Sequence, residues 1–227
     1  MVCSDKMRLS LFVFLITTST VLPGAVTIRN LVFPAESDNS FVELVPQKPL
    51  NLAAFTLCMR VATELQGSRE VILFAYRTRH NDELNVWRES DGRLSFYLAG
   101  GGVLFQVPQL SGLETHLCFI WDSSSGASAL FMDGRRSLTK TYKKAHTIQP
   151  NGNVILGQDP DSYLGEFDIN QSFVGSITDV NMWDYVLSDS AIRDMVYKKT
   201  GPGGNVIDWN TTNLQVTGVV EVSDREL

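Results

Sequence analysis

Histidine and cysteine are scarce in this chain of 227 residues, which has three of each. His80, His116 and His146 lie far apart, so no pair stands at metal-ligand spacing, and no Gly-x-Ser-x-Gly elbow presents a nucleophile. Metal-dependent and serine-dependent hydrolysis therefore find no support in sequence. The glycines at 100–102 mark a turn rather than a phosphate cradle. Positive charge is also short, with 19 Lys and Arg against 25 Asp and Glu and a formal net charge of −6. Arg135-Arg136 with Lys140, Lys143 and Lys144 comes nearest to a basic patch, and it fits a solvated hairpin and turn, so nucleic acid is excluded as the primary partner. Long apolar runs are missing as well. The run Leu9 to Ile16 falls short of the ~18–20 residues that would span a bilayer.

That run has another meaning. Lys6 and Arg8 precede it, and Thr17-Thr-Ser-Thr and Val21-Leu-Pro-Gly-Ala25 follow, which predicts a secretory signal peptide over residues 1–25, cleaved within Thr20–Ala25, with Met7 as an alternative start. Residues 26–227 then form one extracellular domain, a length that all-β sandwiches reach undivided. Export removes Cys3 and leaves Cys58 and Cys118, each inside a strand-like run. One intramolecular disulfide is the economical reading outside the cell.

Between Val26 and Val186 the chain is a succession of short apolar or alternating runs, among them Phe41–Val45, Val71–Tyr76, Leu84–Trp87 and Leu94–Leu98. Turn signals separate them at Ser90-Asp-Gly92, Gly100–Gly102, Asp133-Gly134 and Pro150-Asn-Gly152. This pattern predicts an all-β fold, an antiparallel jelly-roll sandwich. One helix interrupts it: Ser188 is an N-cap, Ile192, Met195 and Val196 recur at helical spacing, Lys198 and Lys199 suit the negative end, and Gly201-Pro202-Gly-Gly204 stops it. Asn205–Trp209 and Leu214–Val222 return to strand character.

The chemistry concentrates in Asp159–Gln171, where Asp159, Asp161, Glu166, Asp168 and Gln171 share a stretch with no Lys or Arg. Hard oxygens crowded this way suit calcium, which takes ~6–8 of them in irregular geometry; the alternative is a solvated acidic turn. The stretch is not an EF-hand, since counting from Asp159 the sixth position is Leu164 and the twelfth Asn170. Glu166-Phe-Asp168-Ile-Asn-Gln171 also approaches the Glu-x-Asp-x-x-Glu run of some jelly-roll glycosidases. Gln171 replaces the last acid and cannot donate and recover a proton, so the two-carboxylate mechanism lacks a member and no catalytic residue is assigned.

His116-Leu-Cys-Phe-Ile-Trp-Asp-Ser123 resembles the pentraxin signature His-x-Cys-x-Ser/Thr-Trp-x-Ser, with Ile120 at the hydroxyl position, and Phe173–Asp184 is a second close match. The resemblance is to the short pentraxins and runs from Val32-Phe-Pro34 to Trp209. It implies a secreted, calcium-dependent, lectin-like recognition protein of innate immunity and the acute phase. It further implies a concanavalin- or laminin-G-like protomer in a homopentameric ring, which binds ligands through two calcium ions per protomer on one face. Complement C1q and Fc receptors would read the other face. Residue by residue, it places calcium ligands at Asp159, Pro160 through its carbonyl, Asp161, Asp168 and Gln171. A first loop adds either Asn81 with Asp82 or Asp82 with Glu83.

The family's ligand pocket falls on Trp87, Tyr97 and Gly102. Trp87 offers a cation–π face, Tyr97 fills the space that choline methyls would need, and Gly102 stands where a choline-pairing carboxylate would be. Phosphoethanolamine or acidic carbohydrate is therefore expected to bind at least as tightly as phosphocholine. Two sequons occur, Asn170-Gln-Ser172 beside a calcium ligand and Asn210-Thr-Thr212, of which Asn210 is the expected glycosylation site. A purely structural laminin-G-like module is the competing reading.

Overall fold

The computed structural model describes residues 27–65, 67–198 and 203–226. The predicted signal segment and the Gly201-Pro202 helix stop lie outside the described residues. The strands are β1 (Thr27–Phe33), β2 (Phe41–Val45), β3 (Ala54–Ala62), β4 (Val71–Arg77), β5 (Asp82–Arg88), β6 (Leu94–Leu98), β7 (Gly101–Phe105), β8 (Thr115–Asp122) and β9 (Ala127–Met132). They continue as β10 (Arg135–Arg136), β11 (Lys140–Thr141), β12 (Asn153–Leu156), β13 (Pro160–Ser162), β14 (Gly165–Phe167) and β15 (Gly175–Trp183), with helix α1 (Asp189–Lys198) before β16 (Asn213–Thr217) and β17 (Glu221–Glu226).

All pairings are antiparallel, as the frequent turns predict. One sheet has the order β10-β9-β8-β3-β15-β1-β17, with β11 also on β9; the other runs β16-β2-β12-β4-β5-β6-β7. Their facing sides bury one core that includes Phe33, Phe55, Phe74, Phe96, Phe119 and Trp121. Phe55, Phe96 and Phe119 meet edge to face at 5.5 and 6.3 Å between centroids, the geometry the ring quadrupoles favour. The jelly-roll sandwich expected from sequence is the observed fold.

The helix forms where Ser188 predicts it. The Ala191 amide donates to Ser188 Oγ at 3.2 Å, and Ile192 and Met195 bury their side chains against Trp183, Phe131 and the disulfide on the outer side of the first sheet. Arg60 ties the helix down by donating to the Met195 carbonyl at 3.0 Å. Cys58 and Cys118 are directly paired across β3 and β8 and are bonded, as their strand placement allowed.

Two expectations fail. Leu214–Val222 is not one strand: Gly218 (φ +73°) turns the chain, and a Cβ there would come within 2.5 Å of Ser40 Oγ, so only glycine lets β16 close one sheet and β17 the other. Asn205–Trp209 is not a strand either. Its single bridge is Ile207 to Met182, while Asn181 Oδ1 accepts from the Trp209 and Gly204 amides, so a buried side chain replaces the ladder.

Candidate functional site

Along β5 the side chains alternate, so Leu84 and Val86 enter the core while Asn85 and Trp87 face the other way. On that outer side Ile72, Ala75, Trp87 and Ile155 are nevertheless buried, with Phe41 and Tyr97 packed against them. The acidic segment is their cover. Rather than a loop throughout, it is the β13–β14 hairpin followed by a 3-10 turn at Ile169–Gln171. Phe167 packs on Phe41 at 5.0 Å, and Arg69 anchors the turn through the carbonyls of Ile169 and Ser172.

Folding back in this way carries the acidic residues to the first-loop region at the start of β5. Asp159 is buried, accepts from Asn85 Nδ2 at 2.8 Å, and has its carboxyl pushed up to about 7, first by burial and then by the charges of Asp82 and Asp161. The cluster does have a cationic neighbour, contrary to the reading of the segment alone, because β4 brings Arg77 into an ion pair with Asp82. Pro160 is buried in the hairpin, and Asn81, Asp161 and Asp168 are exposed. Asp168 caps the 3-10 turn, accepting from the Asn170 amide and side chain at 2.9 Å each.

Of the two first-loop alternatives the structure separates Glu83 from the cluster. Tyr76 pairs with Leu84 and Arg77 with Asp82, so Glu83 is the extra residue of a bulge, and its carboxylate accepts from the Gln149 amide. Asn85, which sequence reasoning missed, joins Asp159 instead. Two buried oxygens at the site, Asn85 Oδ1 and Gln171 Oε1, have no hydrogen-bond partner among the described residues. The orphaned Asn85 oxygen beside the Asp159 carboxyl, raised first by burial and then by its acidic neighbours, is a donor arrangement that fits a hard cation such as calcium. The carboxylates are spread rather than converged. Among the described residues the only three candidate ligands within 4.8 Å of one another are Cys58, His116 and Cys118, and there the disulfide leaves no thiolate for a metal.

Beside the acidic segment lies a cleft of about 230 Å³ lined by Glu70, Trp87, Glu89, Tyr97 and Gln171. Trp87 and Tyr97 thus share a cavity with a candidate calcium ligand. Gly102 is not part of its wall: it pairs with Tyr97 across β6 and β7, and a Cβ there would lie 2.5 Å from the Tyr97 ring. Its role is to let that ring lie flat. Glu70 and Glu89 were not found from sequence because they arrive from the ends of two strands. Burial first, then the charges of Glu89 and Glu70, hold the Tyr97 phenol above its ordinary pKa. At the sequons, Asn170 bonds to Asp168 and Asn210 is exposed, its backbone amide donating to Asp208.

A jelly-roll sandwich whose acidic hairpin covers one sheet beside an aromatic cleft defines a lectin-like architecture. Residues 29–224 match the Pentaxin family, and the chain belongs to it. It is 52% identical over 221 residues to a C-reactive protein of Danio rerio, covering 94% of this chain and 98% of that one. Identity to the C-reactive protein of Homo sapiens is 38% over 193 residues, covering 85% and 86%. In fold it resembles the heptameric SAP-like pentraxin of Limulus polyphemus, with a TM-score of 0.74 and 22% identity over 86% of this chain and 94% of that one.

Proposed function

We propose that the chain is a secreted, calcium-dependent recognition protein of the acute-phase, innate-immune kind, which binds phosphorylated head groups or carbohydrate through metal held on the outer side of the second sheet. The observation that carries this is the buried Asp159 carboxylate, which accepts from Asn85 Nδ2 and feels the charges of Asp82 and Asp161, together with the buried oxygens Asn85 Oδ1 and Gln171 Oε1 that lack hydrogen-bond partners among the described residues. Asp82, Asp159, Asp161, the Pro160 carbonyl, Asp168 and Gln171 would hold the ions, with Asn81 at the edge. Bound calcium would supply a positive centre for a phosphate or carboxylate oxygen. The chain's own residues would bury the opposite end of the ligand against Trp87. No helix among the described residues is long and apolar enough to cross a membrane. We further propose a homo-oligomeric ring, five-membered by family resemblance although the Limulus relative is a heptamer, with C1q and Fc receptors as partners of the opposite face. The proposal requires no catalysis.

Calorimetric titration of the full chain tests it. Two calcium ions per protomer should bind, and Asp161→Ala should remove calcium-dependent ligand binding. A chain that takes up no calcium in the millimolar range would contradict the reading.

A further inference from the structure

Arg88 closes β5 at the opposite end from Asp82, and it is a buried cation without a counter-ion. The residue is 6% exposed, and its guanidinium donates to the carbonyls of Leu65 and Arg69 at 2.9 Å each. Its Nε has no hydrogen-bond partner among the described residues. Those two carbonyls pin the segment before β4, but dipoles do not neutralise a charge. Other arginines that lose contact with water do have acids beside them: Arg60 meets Asp179 and Glu114, Arg69 meets Glu36, and Arg77 meets Asp82. Arg88 forms no ion pair among the described residues, and the charge that bears on it is that of Arg69, which with burial lowers its pKa. Buried charges are as a rule paired, and a guanidinium does not escape by losing its proton.

The side chain opens on a cleft of about 290 Å³ between the β5–β6 turn, the segment before β4 and the segment after β7, walled also by Ser68, Ser90, Asp91, Gly92 and Gln109. Ser68, Ser90 and Gln109 are exposed, and their side chains make no hydrogen bond among the described residues. Asp91 is the one acid in the wall, and it is already engaged by Arg93, through Nε at 2.7 Å and the amide at 3.0 Å. Gly92 (φ +84°) has no Cβ where one would come within 2.8 Å of Gln109 Nε2, so the glutamine amide lies directly over the turn.

A cation would be repelled by Arg88, and an apolar guest would bury the hydroxyls and the amide without partners. A small oxyanion accepts from all of them and supplies the missing charge. We propose that this cleft is an oxyanion site, in which Arg88 with Ser68, Ser90 and Gln109 takes a sulfate or phosphate group, and that it acts without calcium. It shares no lining residue with the cleft at Trp87, so it stands independently of the calcium-dependent reading. Sulfated sugars and phosphorylated side chains both present such a group.

The test is calorimetric titration of the full chain with inorganic sulfate in the presence of chelator, with chloride holding the ionic strength constant. One sulfate per protomer should bind. Ser68→Asp places a carboxylate on the exposed wall beside Arg88 without touching the core; it should weaken sulfate binding roughly ten-fold or more, the loss of one charge-assisted contact. It should also raise the urea midpoint, because it supplies the counter-ion from within, and leave calcium uptake unchanged. Gln109→Glu should weaken sulfate binding in the same way. Galactose 4-sulfate against galactose, and O-phosphoserine against serine, identify the carrier: tighter binding of either ester than of its parent supports the site. Absence of binding by sulfate and by both esters in the millimolar range, affinity unchanged in both variants, or binding that appears only with calcium would overturn the proposal, and none of these bears on whether the acidic face holds metal.

Discussion

His116 makes acid stability a sharp test of how this fold is held together. It is 1% exposed on β8, opposite Arg60 on β3, with its ring against the disulfide at 3.7 Å from Cys118 Sγ. Burial first, and the Arg60 guanidinium second, push its pKa down from 6.5 to about 3. A depressed histidine keeps the folded chain from taking a proton that the unfolded chain accepts, so stability falls as pH drops below 6.5 and continues to fall until about 3. At about pH 4.5, two units below the unfolded value, the loss from this one group is on the order of 2–3 kcal/mol. His116→Phe keeps a planar ring and removes the titration. Urea unfolding of both proteins at about pH 7 and pH 4.5 isolates the term, because Asp159 and Asp179, whose carboxyls are raised and act with the opposite sign, contribute alike to both. The wild type should lose roughly 2–3 kcal/mol more than the variant across that interval. Equal losses would show that His116 is protonated in the folded chain and that its assignment as a neutral core residue is wrong.

The disulfide closes a loop of 60 residues, so replacing both Cys58 and Cys118 with Ala should cost ~4 kcal/mol in denaturant unfolding, and thiol titration of the denatured, unreduced mature protein should read near zero; two reactive thiols per chain would refute the pairing. Millimolar calcium should protect the segment 159–171 from limited proteolysis, and Asp161→Ala should abolish that protection with an unchanged far-UV spectrum, because the exposed Asp161 carries none of the sandwich core. Gly102→Glu alone should destabilise by ~1–3 kcal/mol, since its Cβ meets the Tyr97 ring at 2.5 Å. Combining it with Tyr97→Thr should recover most of that loss in a double-mutant cycle and move ligand preference toward phosphocholine; simple additivity would show that the ring does not depend on the glycine.

Local pattern carried the fold well wherever the signals that set an element, its alternation, turns and caps, lie within or next to that element. Phe41–Val45 and Leu94–Leu98 are strands with the bounds that their alternation and turn signals predict. The Ser188 cap and the Ile192 and Met195 stripe place the helix. The turn at Gly218 was hidden inside a β-branched run, because what requires glycine there is the approach of Ser40, distant in sequence. The same limit applies at the site. Carboxylates crowded into one segment pointed to a cation, but Asn85 reaches Asp159 across 74 residues and Arg77 meets Asp82 only because β4 pairs with β5. Glu70 and Glu89 became visible only once β5 and β6 were in register and the acidic hairpin lay beside them.

The central claim is that this face recognises ligand through calcium, and retention of the mature protein on phosphoethanolamine and phosphocholine resins tests it most directly. Calcium should hold the chain on the phosphoethanolamine resin at least as firmly as on phosphocholine, and chelator should release it at once. Passage through both resins regardless of calcium, or retention that chelator does not reverse, would contradict the account.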